Sequence, residues 1–218
     1  MDIGSSFTYM FQDKDWIKKI LIGGVVGFIP IVNFAAIGYV LQIIRNVRDG
    51  QTLPLPEWDE FGKYFVDGLW IFLIFLVWAI PIIVVACLSG IGTAAVGDSG
   101  DLQGAYGVVS ACFSCLMVLW GFVIAAASPA IMIRFAESGQ FNAGFQFGEI
   151  FSFISANLGN YIIVIILVWV AGLIASLGVI LCVIGVIFTQ FWSYLVAGNL
   201  MGQLAAEDQP AELAVSDS

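Results

Sequence analysis

Histidine is missing from this chain, and charge is scarce: lysine, arginine, aspartate and glutamate together make up 11% of it. The first absence removes the commonest metal ligand, the usual axial ligand of haem and the side chain best suited to proton transfer near neutral pH. The second leaves too little polar side chain to cover a water-borne globule. Apolar residues reach 61%, against roughly 45–50% in soluble domains, and a surface needs polar cover. An ordinary cytosolic enzyme and a disordered chain are both excluded. Seven bases face sixteen acids, a net charge of −9. Nucleic acid, a polyanion, would be repelled by most of the exposed surface. No cofactor, metal or catalytic cluster can be assigned.

What remains is an integral membrane protein. The opening Met1-Asp2-Ile3-Gly4 lacks the basic n-region of a signal peptide and no small-residue cleavage site follows, so insertion without cleavage is expected. Phe7, Met10 and Phe11 share a helical face in residues 1–16, which reads as a short interfacial helix with Trp16 at headgroup depth. Apolar runs follow at about 17–44, 69–88, 105–133, 161–182 and 185–204. The first would be about 42 Å long as one helix, too short for two spans of roughly 30 Å of hydrocarbon each. Either it kinks at Pro30, or two short helices make a re-entrant hairpin turning at Pro30–Asn33. Between the runs, Leu53-Pro54-Leu55-Pro56 is extended, and Trp58, Phe61 and Phe65 suggest a second interfacial helix. Pro81 is expected to kink its span, and the next span to end near Ser128-Pro129. Residues 89–104 form a loop without bases, 137–160 an aromatic-rich interfacial stretch, and 205–218 an acidic, disordered tail. Residues 1–204 therefore form a single all-α domain: a polytopic helical bundle with a short N-terminal hairpin, four spans and cytoplasmic amphipathic helices.

The bases orient it. With a hairpin first, Lys14, Lys18, Lys19, Arg45, Arg48, Lys63 and Arg134 all fall on one side and loop 89–104 alone on the other. With a single crossing they split three to four. The positive-inside bias favours the first arrangement, in a plasma membrane with both termini cytoplasmic. An internal repeat is also suggested. Gly4–Tyr9 resembles Gly148–Phe153, and each precedes an apolar pair with a turn, at Ile29–Asn33 and at Leu181–Gly185.

Several stretches stand in a familiar order: Asp13-Lys14-Asp15-Trp16 with Gly23-Gly24, Ile29-Pro30-Ile31-Val32-Asn33 with Gly38-Tyr39, and Leu53-Pro54-Leu55-Pro56-Glu57-Trp58-Asp59 with Asp67-Gly68. Cys182-Val183-Ile184-Gly185 and Gly202-Gln203 come later. Over residues 1–204 the chain resembles the prokaryotic multi-pass membrane family called domain of unknown function 4013. The resemblance implies a bacterial or archaeal membrane protein and carries over no activity and no catalytic residue.

Among local features, Cys112-x-x-Cys115 has no second pair and no histidine, so Cys87, Cys112, Cys115 and Cys182 read as small buried apolar side chains. Asn33, Gln42 and Gln190 could line a polar membrane pocket, or could bond between helices. Lys18, Lys19, Arg45 and Arg48 could contact lipid headgroup phosphates. Trp16, Trp58, Tyr64, Trp70, Phe147 and Tyr161 read as an interfacial belt, and Gly198-x-x-x-Gly202 as a helix-packing face. The leading reading is a non-enzymatic component that associates with lipid, with itself or with a membrane complex. The alternative is a facilitator or channel for a small neutral or lipophilic solute. Cysteines introduced at Ser5 and at Ser99 should react with an impermeant reagent from opposite faces of the membrane. Labelling of both from one face would contradict this topology.

Overall fold

A computed structural model of the chain describes the backbone of residues 1–96 and 100–216, and side chains outside 97–102, 181–184 and 209–218. It is 88% helical, with no strand among the described residues. The helices are α1 (Ile3–Thr8), α2 (Trp16–Phe28), α3 (Phe34–Arg48), α4 (Phe61–Val96), α5 (Gly100–Ser138), α6 (Phe147–Ala156), α7 (Leu158–Ser176) and α8 (Cys182–Ser216). Short 3-10 turns occupy Tyr9–Gln12, Trp58–Glu60, Phe141–Phe145 and Leu177–Leu181. Three stretches are helical, long and apolar enough to cross a membrane: Trp58–Val96, Gln103–Ser138 and Leu158–Ile180.

The first apolar run is two helices, not one kinked helix. α2 and α3 have 13 and 15 residues, each short of the ~20 needed for a span. The break falls at Ile29–Asn33, where Pro30 forces its predecessor out of the helical region. Ile31 there adopts a φ of 72°, a left-handed conformation costly for a β-branched residue.

Several expected boundaries move. The second interfacial helix at 57–65 is the beginning of α4, entered through the turn at Trp58–Glu60. The loop expected at 89–104 is helical up to Val96 and again from Gly100; Ser99 lies outside the described residues. α4 runs unbroken through Pro81, and α5 through Pro129, where an end was expected. Proline cannot bond the carbonyl four residues back. The Ser128 hydroxyl bonds that carbonyl, of Ala125, at 2.9 Å, and the Tyr161 hydroxyl accepts from the Ala130 amide. α8 likewise continues past Leu204 instead of releasing a loose tail at Ala205. Asn160 and Asn157 donate to Glu207 and Asp208 at 2.7 and 2.8 Å, which holds this stretch of α8 against the start of α7.

The chain divides into two compact units, one of residues 1–72 and 129–218 and one of residues 73–128. In the larger, α3 is the most enclosed element: Ala35, Tyr39, Leu41, Ile43 and Ile44 are fully buried. Glycines let neighbours approach it. A Cβ on Gly38 would collide with the Tyr64 backbone, and one on Gly68 with the Phe34 carbonyl. Gly198 faces Val40 and Ile43, and Gly202 faces Val47, so the expected Gly-x-x-x-Gly face is real and meets α3. These contacts advance together, so α3 and α8 run in the same direction. Aligning the turns of the suggested repeat, Ile29 with Leu181, puts Tyr39 level with Phe191, and those rings meet at 5.8 Å. The element order is shared too: α1, α2, α3 against α6, α7, α8.

In the smaller unit, parts of α4 and α5 touch through Trp78 and Trp120. Their rings stack at 5.8 Å, and the Trp120 indole donates to the Trp78 carbonyl at 2.9 Å. Cys87, Cys112 and Cys115 are exposed and free there. They were expected to be buried, but nothing among the described residues covers those faces; Cys182 lies among the undescribed side chains. Gly38→Ala should destabilise the fold by about 1–3 kcal/mol through overpacking against backbone. Gly62→Ala, in the same region with open space around it, should instead stabilise by about 1 kcal/mol through helix propensity. Apparent Tm in detergent checks the pair of opposite signs.

Candidate functional site

The segment from Leu53 to Trp58 organises one end of the larger unit. Pro54 and Pro56 have no amide hydrogen and hold the chain extended. The carbonyls between α3 and α4 therefore have neither helix nor sheet to meet them, yet Pro54, Leu55 and Pro56 are buried. Buried carbonyls need donors, and four side chains supply them in sequence. Asn46 Nδ2 donates to Pro54 O at 3.0 Å and Lys19 Nζ to Leu55 O at 3.2 Å. The Tyr39 hydroxyl donates to Pro56 O at 2.7 Å and the Tyr64 hydroxyl to Glu57 O at 2.9 Å. Trp58 closes the arrangement: its indole donates to Lys19 O at 3.2 Å, and its ring stacks on Tyr39 at 4.3 Å.

Lys19 is 3% exposed and lies 2.7 Å from both Asp13 Oδ2 and Glu57 Oε1. Burial works against the charge of each partner in the Lys19–Asp13 pair. Their mutual hydrogen bond and attraction outweigh it, helped at Asp13 by the Asp15 amide and at Lys19 by Glu57. The Asp13 carboxyl consequently titrates below the usual carboxylate range and the Lys19 ammonium above the usual lysine range. Nearby, Arg45 Nη1 is 2.6 Å from Asp67 Oδ2, and its Nε donates to Ala136 O at 2.8 Å. This pair ties α3 to α4 and α5.

The residues expected to contact headgroups therefore separate. Lys19 and Arg45 are turned inward onto carboxylates, and Arg48 pairs with Asp49. Lys18 is exposed and lines two recesses, one with Lys14 and Asp15 and one with Glu57, Trp58 and Asp59. The three candidate pocket amides do not converge either. Gln42 donates to Asn46 at 2.8 Å. Asn33 sits in the α2–α3 turn, and its buried Oδ1 has no partner. Gln190 lines a groove of about 290 Å³ between α2 and α8, with Gly23, Gly24, Gly27 and Phe28 opposite. Among the belt candidates, Tyr64 and Tyr161 are buried at 2% exposure and bond inside the protein.

Sequence reasoning missed Tyr39 and Asn46 as donors and Asp67 as the partner of Arg45. A signal was present: two prolines two residues apart leave carbonyls that only side chains can satisfy. Among the described residues no group of three or more Cys, Asp and Glu side chains is arranged to hold a metal ion.

A family model described as "Protein of unknown function (DUF4013)" matches residues 22–184, most of the chain. The chain belongs to the DUF4013 family. The match takes in the α2–α3 turn, Gly38-Tyr39, the Leu-Pro-Leu-Pro segment and Asp67-Gly68. It leaves out Asp13–Trp16 and Gly202-Gln203, which were part of the resemblance. No curated protein and no solved structure matches this DUF4013 chain.

The Asp13–Lys19 pair gives a pH signature. The lowered Asp13 contributes stability that is complete above its unfolded pKa and is lost as pH falls through its folded value. The raised Lys19 contributes stability that is complete below its unfolded pKa and is lost as pH rises through its folded value. Removing one member of a buried pair costs about 3–5 kcal/mol, so Lys19→Met should lower the Tm at neutral pH. It should also flatten the Tm–pH profile at both extremes relative to wild type. Unchanged slopes would show that the pair does not carry the dependence.

Proposed function

We propose that this chain is a non-enzymatic, multi-pass component of a prokaryotic plasma membrane that assembles with other membrane helices through the hairpin of residues 73–128. The observation that carries this is the state of α5. None of its most apolar 18-residue stretch is buried within the chain, and Gly104, Gly107 and Gly121 have open space above them. Inside a bilayer, small residues on an uncovered helix let a second helix approach closely. In this reading α4, α5, α7 and α8 cross, while α2 and α3 enter and leave on one side. The cytoplasmic assignment of that side is supported by the arrangement of bases: Lys19, Arg45, Lys63 and Arg134 lie in the larger unit and each pairs with an acid. No observation favours the facilitator reading, since Asn33, Gln42 and Gln190 meet different surroundings.

Oxidative cross-linking in native membranes tests the proposal, because Cys112 and Cys115 sit on the uncovered helix. A disulfide-linked band of dimer mass, or a discrete adduct of another mass, should form in Cys87→Ser and should vanish in Cys87→Ser/Cys112→Ser/Cys115→Ser. Monomer alone, with cysteines scanned from position 104 to 122, would contradict it.

A further inference from the structure

Five of the seven bases have an acidic partner, but among the described residues Lys14 and Lys18 have none. Lys14 lies in the turn just before α2 and Lys18 in its first turn, and the two line a common recess with Ile17 and Leu21. At 100° per residue, Ile17, Leu21, Gly24 and Phe28 form one stripe along α2. Ile17, Leu21 and Phe28 are 56%, 45% and 67% exposed. Gly24 and Phe28, the later members of that stripe, line the 290 Å³ groove against α8. Positive charge at the charged end of the unit thus leads along an apolar stripe into a groove floored by glycine.

We propose that this track binds one anionic phospholipid, its phosphate held by Lys14 and Lys18 and an acyl chain lying in the groove between α2 and α8. The occupant follows from shape and charge. The groove is too small for a helix, which is about 10 Å across with its side chains, but suits a hydrocarbon chain. From Lys18 to Gly27 the helix rises about 14 Å, so the two parts are within reach of a single lipid. Asp15 beside the recess disfavours a free multivalent anion, whereas a lipid brings apolar contacts that offset it. Glycine at 23 and 24 shapes the groove's inner wall: a Cβ at either would meet the rings of Phe191 or Phe188, so bare backbone there lets α8 close against α2 beneath the groove. The inference rests on the membrane assignment and is independent of the hairpin contact proposed for residues 73–128.

The test is thermal unfolding of the full chain in detergent, titrated with phosphatidylglycerol, with phosphatidylcholine, or with inorganic phosphate. Phosphatidylglycerol should raise the Tm saturably and the other two should not. Lys14→Gln/Lys18→Gln should raise the half-maximal phosphatidylglycerol concentration roughly tenfold or more, since each base near a lipid surface is worth about 1 kcal/mol. Lys14→Arg/Lys18→Arg should retain the effect. Val179→Trp, which fills the groove from an exposed rim position, should weaken it without touching either base. Equal protection by both lipids, an effect matched by inorganic phosphate, or a phosphatidylglycerol response unchanged in the glutamine or tryptophan variants would overturn the proposal. A chain that remained dispersed without detergent would overturn the membrane assignment and this inference with it.

Discussion

Two prolines in Leu53-Pro54-Leu55-Pro56 create a stretch of buried backbone that cannot satisfy itself, and one end of the larger unit is arranged around that fact. Its carbonyls need donors, and the donors come from three helices: Lys19 from α2, Tyr39 and Asn46 from α3, Tyr64 from α4. Each unmet buried carbonyl would cost about 1–3 kcal/mol. The segment is therefore a connector that binds three helices, although it has no regular structure of its own. Burying the Lys19 ammonium is tolerable only because Asp13 and Glu57 both reach it.

Close packing makes the same region compact. Bare backbone at Gly38 and Gly68 lets α3 and α4 touch, and that approach brings Arg45 to Asp67. Gly198 and Gly202 do the same for α8 on the other side of α3. Small residues and inward-facing charge pairs are thus two parts of one solution. Helices that gain little from a hydrophobic effect in lipid associate through close contact and through polar groups with nowhere else to go. The N-terminal helix obeys the same logic: Ser6 donates to Asn199 at 2.9 Å, and Gln203 reaches both.

Much of this was legible from the residues. Composition identified the solvent, the apolar runs located the helices, and Pro30 with Asn33 marked a break. Boundaries were less legible, for specific reasons. Polar or proline residues do not end a helix when a neighbour meets the freed groups, as Ser128 and Tyr161 do around Pro129, or Asn157 and Asn160 at Glu207 and Asp208. Which bases turn inward onto acids was illegible, because Lys18 and Lys19 are adjacent and differ only in which side of α2 they occupy. Partners distant in sequence, such as Arg45 and Asp67, required the glycine contacts to be known first.

The central claim is that the four donors act as a unit through the segment they share. A double-mutant cycle between Lys19→Met and Tyr39→Phe, read as unfolding free energy in one detergent, tests this most directly. Loss of either donor loosens a segment the other also holds. The account therefore predicts that the combined loss differs from the sum of the single losses by at least about 0.5 kcal/mol. Additivity within error would mean that Lys19 and Tyr39 stabilise separate parts of the protein, and would contradict it.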